Sequence, residues 1–459
     1  MTRIRVLVGL AGIAFAVGLP VALAGAAAPG DELWVSRYDG PSNGTDAAFA
    51  IAVAPDTSTV FVTGGSNGPS GDFDYATVAY DAGTGSQLWA SRYSGRRTGA
   101  FFDFARAVAV DPQGVRVFVT GQSQKTFGNS DFATVAYGSG TGSQLWVARY
   151  DGDPADDAST LGVSPDGSKL FVTGRSGADY ATVAYDAATG TQIWASRYNG
   201  PQDQLDFPTA LGVSPDGSTV YVTGGSEVRG SLDYATVAYV AATGVQLWVA
   251  AYRGPAGGDD IGTALAATSD GSKLFVTGQS RTSTSANDYA TVAYEAATGA
   301  RLWVKRYNGP GNGEDFATAL AASPDASQVF VTGGSTGSSS GFDYATVAYD
   351  AATGARQWLR RYKGVLRGED YAPDIGIDPN GSTVFVTGRS GKVGERDYAT
   401  LAYDSASGAQ QWVARYDGPA HGDDEGNALR VSPNGSQVFV TGDSAGSGVD
   451  YATVAYSTG

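Results

Sequence analysis

Eight tryptophans, at positions 34, 89, 146, 194, 248, 303, 358 and 412, divide the 459-residue chain at intervals of 55, 57, 48, 54, 55, 55 and 54 residues. Length alone, at roughly 100–200 residues per domain, suggests two to four domains. A period near 54 residues over almost the whole chain overrides that expectation: one structural unit is copied repeatedly.

Each copy contains four short segments in the same order. In the sixth they are Thr318–Ser323 (TALAAS), Gln328–Gly333 (QVFVTG), Asp343–Tyr349 (DYATVAY) and Arg356–Tyr362 (RQWLRRY). Pro-Asp-Ala, elsewhere Pro-Asp-Gly, joins the first two, and Asp-Ala-Ala-Thr-Gly joins the last two; both are turn chemistry. Runs of five to seven residues rich in Val, Tyr, Phe and Thr and bounded by Gly or Pro read as strands. Four antiparallel strands per unit, repeated eight times, describe an all-β, eight-bladed β-propeller. Of the 25 Tyr, 23 fall at three fixed positions of the unit, which assigns them to blade packing.

The chain ends support closure. Asp31–Tyr38 is a fourth strand without its three predecessors, and Asp450–Tyr456 is a third strand without its successor. The N-terminal strand therefore joins the last blade, closing the ring and removing free edges. Residues 31–459 form a single propeller domain after a short linker, 25–30.

Residues 1–24 have a different character. Arg3 and Arg5 precede an apolar run that ends in small residues, and Ala22-Leu23-Ala24 offers a cleavage site near Ala24. This reads as a secretory signal peptide, so the mature protein is expected to be secreted or extracytoplasmic and free of the membrane. Its removal takes two arginines and no acid, so the formal charge goes from −16 to −18. An acidic balance argues against nucleic acid as partner. No Cys means no disulfide scaffold, thiolate metal site or Cys nucleophile. The single His421 sits in a polar loop and reads as a solvated residue.

Ala348-Tyr-Asp350-Ala-Ala-Thr353-Gly354-Ala-Arg-Gln-Trp358 resembles the tryptophan-docking motif of quinoprotein-type (PQQ-like) eight-bladed propellers, and near matches end at Trp89, Trp194, Trp303 and Trp412. The segment 214–224, SPDGSTVYVTG, is similar to the repeat of YVTN-type secreted propellers. The resemblance implies that Trp34, Trp89, Trp146, Trp194, Trp248, Trp303, Trp358 and Trp412 pack against the neighbouring blade. Quinone (PQQ) dehydrogenases of this shape also use a vicinal Cys pair, a Trp beneath the quinone, and calcium held by Glu, Asn and Asp. Here there is no Cys and every Trp is committed to docking, which disfavours PQQ. Outer-membrane assembly lipoproteins with this repeat need a lipidated Cys, which is also absent.

Two Asp positions are filled in all eight units. One opens the first strand (46, 103, 156, 206, 260, 315, 370, 424) and one opens the third (74, 131, 179, 233, 288, 343, 397, 450). Both strand types start on the same face of the disc, so one rim gathers sixteen carboxylates. Asp260, Asp315, Asp370 and Asp424, some with acidic neighbours, could hold calcium, which favours oxygen ligands. The structural reading pairs each third-strand Asp with an arginine of its own blade. With Val78 opposite Leu88, Asp74 falls opposite Arg92, and the same arginine recurs at 37, 149, 197, 306, 361 and 415. Unit four carries Ala251 instead, which leaves Asp233 without that partner.

Residues that break the symmetry are the better ligand candidates. After each Thr-Gly ending the second strand comes one variable residue: Gly65, Gln122, Arg175, Gly225, Gln279, Gly334, Arg389 and Asp443. Arg175 and Arg389 stand four blades apart and could hold an anionic or polyhydroxylated ligand, or each could pair with a rim acid. Arg96-Arg97 with Phe101-Phe102, and Val365-Leu366, mark loops that could meet a partner. These features describe a secreted, monomeric, non-enzymatic scaffold without a cofactor, binding a protein or glycan on its acidic loop face. The alternative is a propeller enzyme, either a calcium-assisted hydrolase or lyase using rim carboxylates or, less favoured, a PQQ-dependent oxidoreductase.

Overall fold

The computed structural model describes residues 27–459 apart from 70, 96–101, 127, 283–285, 339–340, 365–367 and 447. The expected export signal, Arg96-Arg97, Phe101 and Val365-Leu366 lie outside the described residues. The rest forms eight four-stranded antiparallel sheets, with no helix among the described residues. Blade 1 runs Asp46–Val53, Thr59–Asn67, Phe73–Asp81 and Gln87–Tyr93, and blades 2 to 7 repeat this order along the chain. Blade 8 takes Asp424–Val431, Gln437–Ala445 and Val449–Ser457 from the C-terminal end and Glu32–Tyr38 as its outer strand. Arg37 there lies opposite Ala452, the register Arg92 keeps with Ala76 in blade 1. The fold is an eight-bladed propeller closed by its N-terminal strand, with the first strands meeting one another around the axis.

The second and third strands are covered on both sides by adjacent blades, so their apolar residues run consecutively. A threonine from each forms a buried Oγ1–Oγ1 pair at 2.9–3.1 Å in every blade, which satisfies two hydroxyls that burial would otherwise strand. Tyr75 O–H donates across the blade boundary to the Ala133 carbonyl, and six equivalent tyrosines repeat the bond; blade 2 has Phe132 there and lacks it.

The tryptophans sit near the start of each outer strand. Seven indole N–H groups donate to a carbonyl of the next blade, such as Trp34 to Ala82 and Trp303 to Ala351. Each of these seven rings lies on the turn glycine of that next blade. At Gly354, φ is +68° and a Cβ would come within 2.7 Å of the Trp303 ring, so only glycine fits. Trp412 faces blade 8, whose third and fourth strands no turn connects. Gly30 (φ +85°), just before the N-terminal strand, takes the glycine's place there, and its N–H bonds Ser457 O. Among the described residues, Trp412 Nε1 has no acceptor.

One sequence segment is extended and one register corrected. The first strand of blade 6 runs Asp315–Ala322, so it opens at the expected Asp and is longer than the segment Thr318–Ser323. A bulge between Ala317 and Ala319, matched in every first strand, breaks the alternation that marks a strand. The Asp74–Arg92 register is shifted. A second bulge places Val78 opposite Ala90 rather than Leu88, so Arg92 faces Ala76. The bulged residue, Leu88, is 53% exposed, an outward apolar position that strict pairing did not foresee.

Candidate functional site

First and third strands both begin on one face of the disc, and both Asp ladders lie there. Every first-strand Asp accepts the backbone N–H of a glycine in the preceding inter-blade loop, from Gly40 on Asp46 (2.7 Å) to Gly418 on Asp424 (2.6 Å). Asp260, Asp315 and Asp424 accept a second backbone N–H, from Arg281, Thr336 and Ala445. Burial pushes these three carboxyls, and that of Asp370, above the ordinary carboxylate range despite those donors. The ladder therefore clamps the loops that link the blades.

On the third-strand ladder, seven arginines bond seven aspartates, including Arg92–Asp74 at 2.9 Å and Arg361–Asp343 at 2.8 Å. The long side chain spans the diagonal that the shifted register creates. Among the described residues, carboxylates still gather in three places, each where two blades meet: Asp39, Asp46 and Asp450; Asp131, Asp151 and Asp156; and Asp397, Asp417 and Asp424. Of the four residues considered for calcium, only Asp424 joins such a group; Asp260, Asp315 and Asp370 do not. Asp39, Asp151 and Asp417 are the exposed members. Each follows the last tyrosine of an outer strand, where other blades have Ser94, Asn199, Arg253, Asn308 and Lys363. Exposed His421 bonds Asp417 through Nδ1 at 2.8 Å, which raises its pKa.

Of the eight variable residues after the second strand, Gln122, Arg175, Gln279, Arg389 and Asp443 are half-buried. Their row carries the tyrosines that bond the next blade, so it points into the boundary between blades. Gln122 donates to Ser130 Oγ at 3.1 Å. Arg175 faces Asp157 in register and makes no ion pair among the described residues. Burial raises the Asp157 carboxyl, partly opposed by the charges of Arg106 and Arg175. Arg389 is engaged: its Nη1 donates to both Glu425 oxygens at 2.9 Å, and its guanidinium lies over the Tyr371 ring at 5.4 Å. The two arginines thus share no contact.

Glu425 also pairs with Arg396 at 2.9 Å and faces Asp443 in register. Asp443 accepts the Ala48 N–H at 3.0 Å, while Asn427 donates to Ala48 O, so this corner ties blade 8 to blade 1. Burial, with the Glu425 charge beside it, pushes the Asp443 carboxyl up to about 7. Sequence reasoning missed Glu425, Arg396 and Asn427. The one available signal was Glu425 at a first-strand position where five blades carry Phe, Ile or Tyr.

A pH prediction follows from Asp443. Its folded pKa lies above the ordinary value near 4, so from about pH 4 to 7 the folded state holds a proton that the unfolded state has lost. Its contribution to stability therefore declines as pH rises through that window and is at its least favourable above pH 7. Asp443→Asn keeps the acceptor for Ala48 and removes the titration, so it should gain stability relative to wild type from pH 4 to pH 8. Parallel unfolding midpoints for the two proteins across that range would refute the assignment.

All eight indoles are held in outer strands at blade boundaries.

A family model described as outer membrane protein assembly factor BamB matches residues 75–370, more than half of the chain. Among curated proteins, none matches. Solved structures share the fold at low identity. Sqt1 of Chaetomium thermophilum, bound to the N-terminus of ribosomal protein L10, aligns with a TM-score of 0.60 at 15% identity, covering 93% of this chain and 100% of that one. The quinohemoprotein alcohol dehydrogenase ADHIIG of Pseudomonas putida HK5 aligns with a TM-score of 0.56 at 12% identity, covering 94% of this chain and 76% of that one. The quinohemoprotein alcohol dehydrogenase of Comamonas testosteroni gives 0.57 at 12%, with 92% and 76% covered.

Proposed function

The chain belongs to the PQQ-like propeller family described as outer membrane protein assembly factor BamB, and on that premise we propose that it is a secreted, non-enzymatic scaffold binding a partner protein on its acidic loop face. The observation that carries this reading is the placement of Asp39, Asp151 and Asp417. Each adds an exposed carboxylate to two others at a blade boundary on one face, with Lys125 beside Asp151 and His421 beside Asp417, while the repeated polar groups around them are spent on the scaffold. A concentrated negative potential steers and orients a basic partner. Sqt1, a propeller of similar outline, is bound to a protein terminus; this supports the reading by analogy of fold alone.

The test is binding of a fluorescent Lys-rich peptide to the mature protein at low salt. Asp39→Asn, Asp151→Asn and Asp417→Asn combined should weaken binding about tenfold, and added salt should do the same to wild type. Equal affinity for variant and wild type would refute the reading. The same triplets favour a second reading, a calcium-holding rim serving a hydrolase or lyase. Unfolding in chelator and after calcium addition separates the two: a large saturable rise in midpoint supports the metal, since a ligand binding only the native state stabilises it. Secretion predicts that the exported protein begins at Gly25, read by N-terminal sequencing.

A further inference from the structure

Seven blades place an arginine at the same point of the outer strand, and blade 4 has Ala251 there. Ala251 faces Ala235 in the register that Arg306 keeps with Ala290. The other blades show what that position is built to hold. In blade 6, Arg361 Nη1 donates to Tyr307 O–H of blade 5 at 2.7 Å and to Ser335 Oγ, while Nη2 donates to Ser335 O at 2.9 Å and Asp343 Oδ2 at 2.8 Å. In blade 5, Arg306 repeats the set on Tyr252, Ser280 and Asp288.

Blade 4 keeps every acceptor of this set and lacks the guanidinium. Tyr198, Ser226 and Asp233 occupy the matching positions. Asp233 is 6% exposed and, among the described residues, makes no hydrogen bond or ion pair, and its Oδ1 is fully buried. Burial raises the Asp233 carboxyl, only partly offset through space by Arg253 and Arg229, which are exposed and do not bond it. Where the side chain is missing, a cavity of about 360 Å³ opens, lined by these three residues and by Pro201, Val228 and Val249. An ionisable carboxyl buried without a partner is costly unless something fills the space.

We propose that this cavity is a guanidinium socket that takes an arginine side chain presented by a partner protein. A planar fork of donors matches a carboxylate, a hydroxyl, a carbonyl and a phenol already arranged for it, which a point-charge ammonium matches poorly. Val228, Val249 and the Tyr198 ring offer apolar surface for the methylene stem. The socket itself rests on the comparison between blades; the choice of a protein rather than a free guanidino compound rests on the acidic-face reading.

The test uses the mature protein with a blocked tripeptide, acetyl-Gly-Arg-Gly-amide, and its lysine counterpart and agmatine, followed by calorimetry. The expected result is saturable one-to-one binding of the arginine peptide, at least tenfold tighter than the lysine peptide. Agmatine binding tighter than the arginine peptide would overturn the choice of a protein arginine. Ala251→Arg fills the socket from within and should abolish binding while raising the unfolding midpoint. Asp233→Asn should weaken binding at least tenfold, and Arg306→Ala should open a second socket and raise the stoichiometry to two. Absence of saturable binding to wild type, or binding that survives Ala251→Arg, overturns the socket. Loss of the Lys-rich peptide effect with socket binding intact would instead remove the acidic-face reading alone.

Discussion

Replacing Trp303 with alanine should lower the free energy of unfolding by about 3–5 kcal/mol, the range for deleting a large buried aromatic side chain. The indole is 9% exposed and packs between Phe275 of its own blade and Tyr349 of the next, with ring centroids at 5.7 and 6.1 Å. Its N–H donates to Ala351 O at 3.2 Å, so the substitution also strands a carbonyl at the boundary. Two blades fixed by their own sheets cannot collapse into the gap, which places the loss towards the upper part of that range. Trp412→Ala should cost about 1 kcal/mol less, because its Nε1 has no acceptor among the described residues to lose. Urea unfolding of the two variants beside wild type measures both. An unchanged midpoint for Trp303→Ala would show that the indoles do not hold the blades together.

Removing residues 27–40 should be more damaging than any single substitution. The deletion takes away the outer strand of blade 8, with Trp34 and the Gly30 that seats Trp412. It also removes Arg37, whose guanidinium joins Tyr416, Ser444 and Asp450, and Gly40, whose N–H engages Asp46. Val449–Ser457 then becomes an open edge, a ready template for pairing with another chain. The truncated protein should unfold at a much lower midpoint and self-associate, as read by calorimetry and light scattering. A synthetic peptide of residues 27–40 should restore a monomer with a midpoint that rises with peptide concentration. A truncated protein that stays monomeric and equally stable would mean that the ring does not depend on this closure.

The repeat made the fold legible before any coordinates. The tryptophan spacing, the paired turn signals and the two complementary end strands are local patterns, and each points to the same closed ring. The third-strand Asp and its Arg were legible as a pair because both recur, although the bulge at Leu88 moved them from opposite to diagonal positions. A bulge inserts one residue without changing composition, so pattern counting passes over it. The Glu425–Arg389–Arg396 cluster and its link to Asp443 were not legible. They join residues of blades 7 and 8 that are up to 54 positions apart, and only the approach of the two blades brings them together.

Ala251 shows where the two kinds of information divide. As one missing arginine among eight copies it was visible in the chain, and the lack of that partner for Asp233 followed directly. The unit, the number of blades, the closing strand and that vacancy can all be read along the chain, because they are properties of its periodic order. Tertiary structure alone decided that the vacancy is an open cavity with Tyr198 of blade 3 on its wall, that Arg389 is spent on Glu425 while Arg175 has no ion pair among the described residues, and that three boundaries gather carboxylates. The physical reason is that burial and charge are set by distances across blade boundaries, and those depend on how the sheets twist and bulge against one another rather than on residue order.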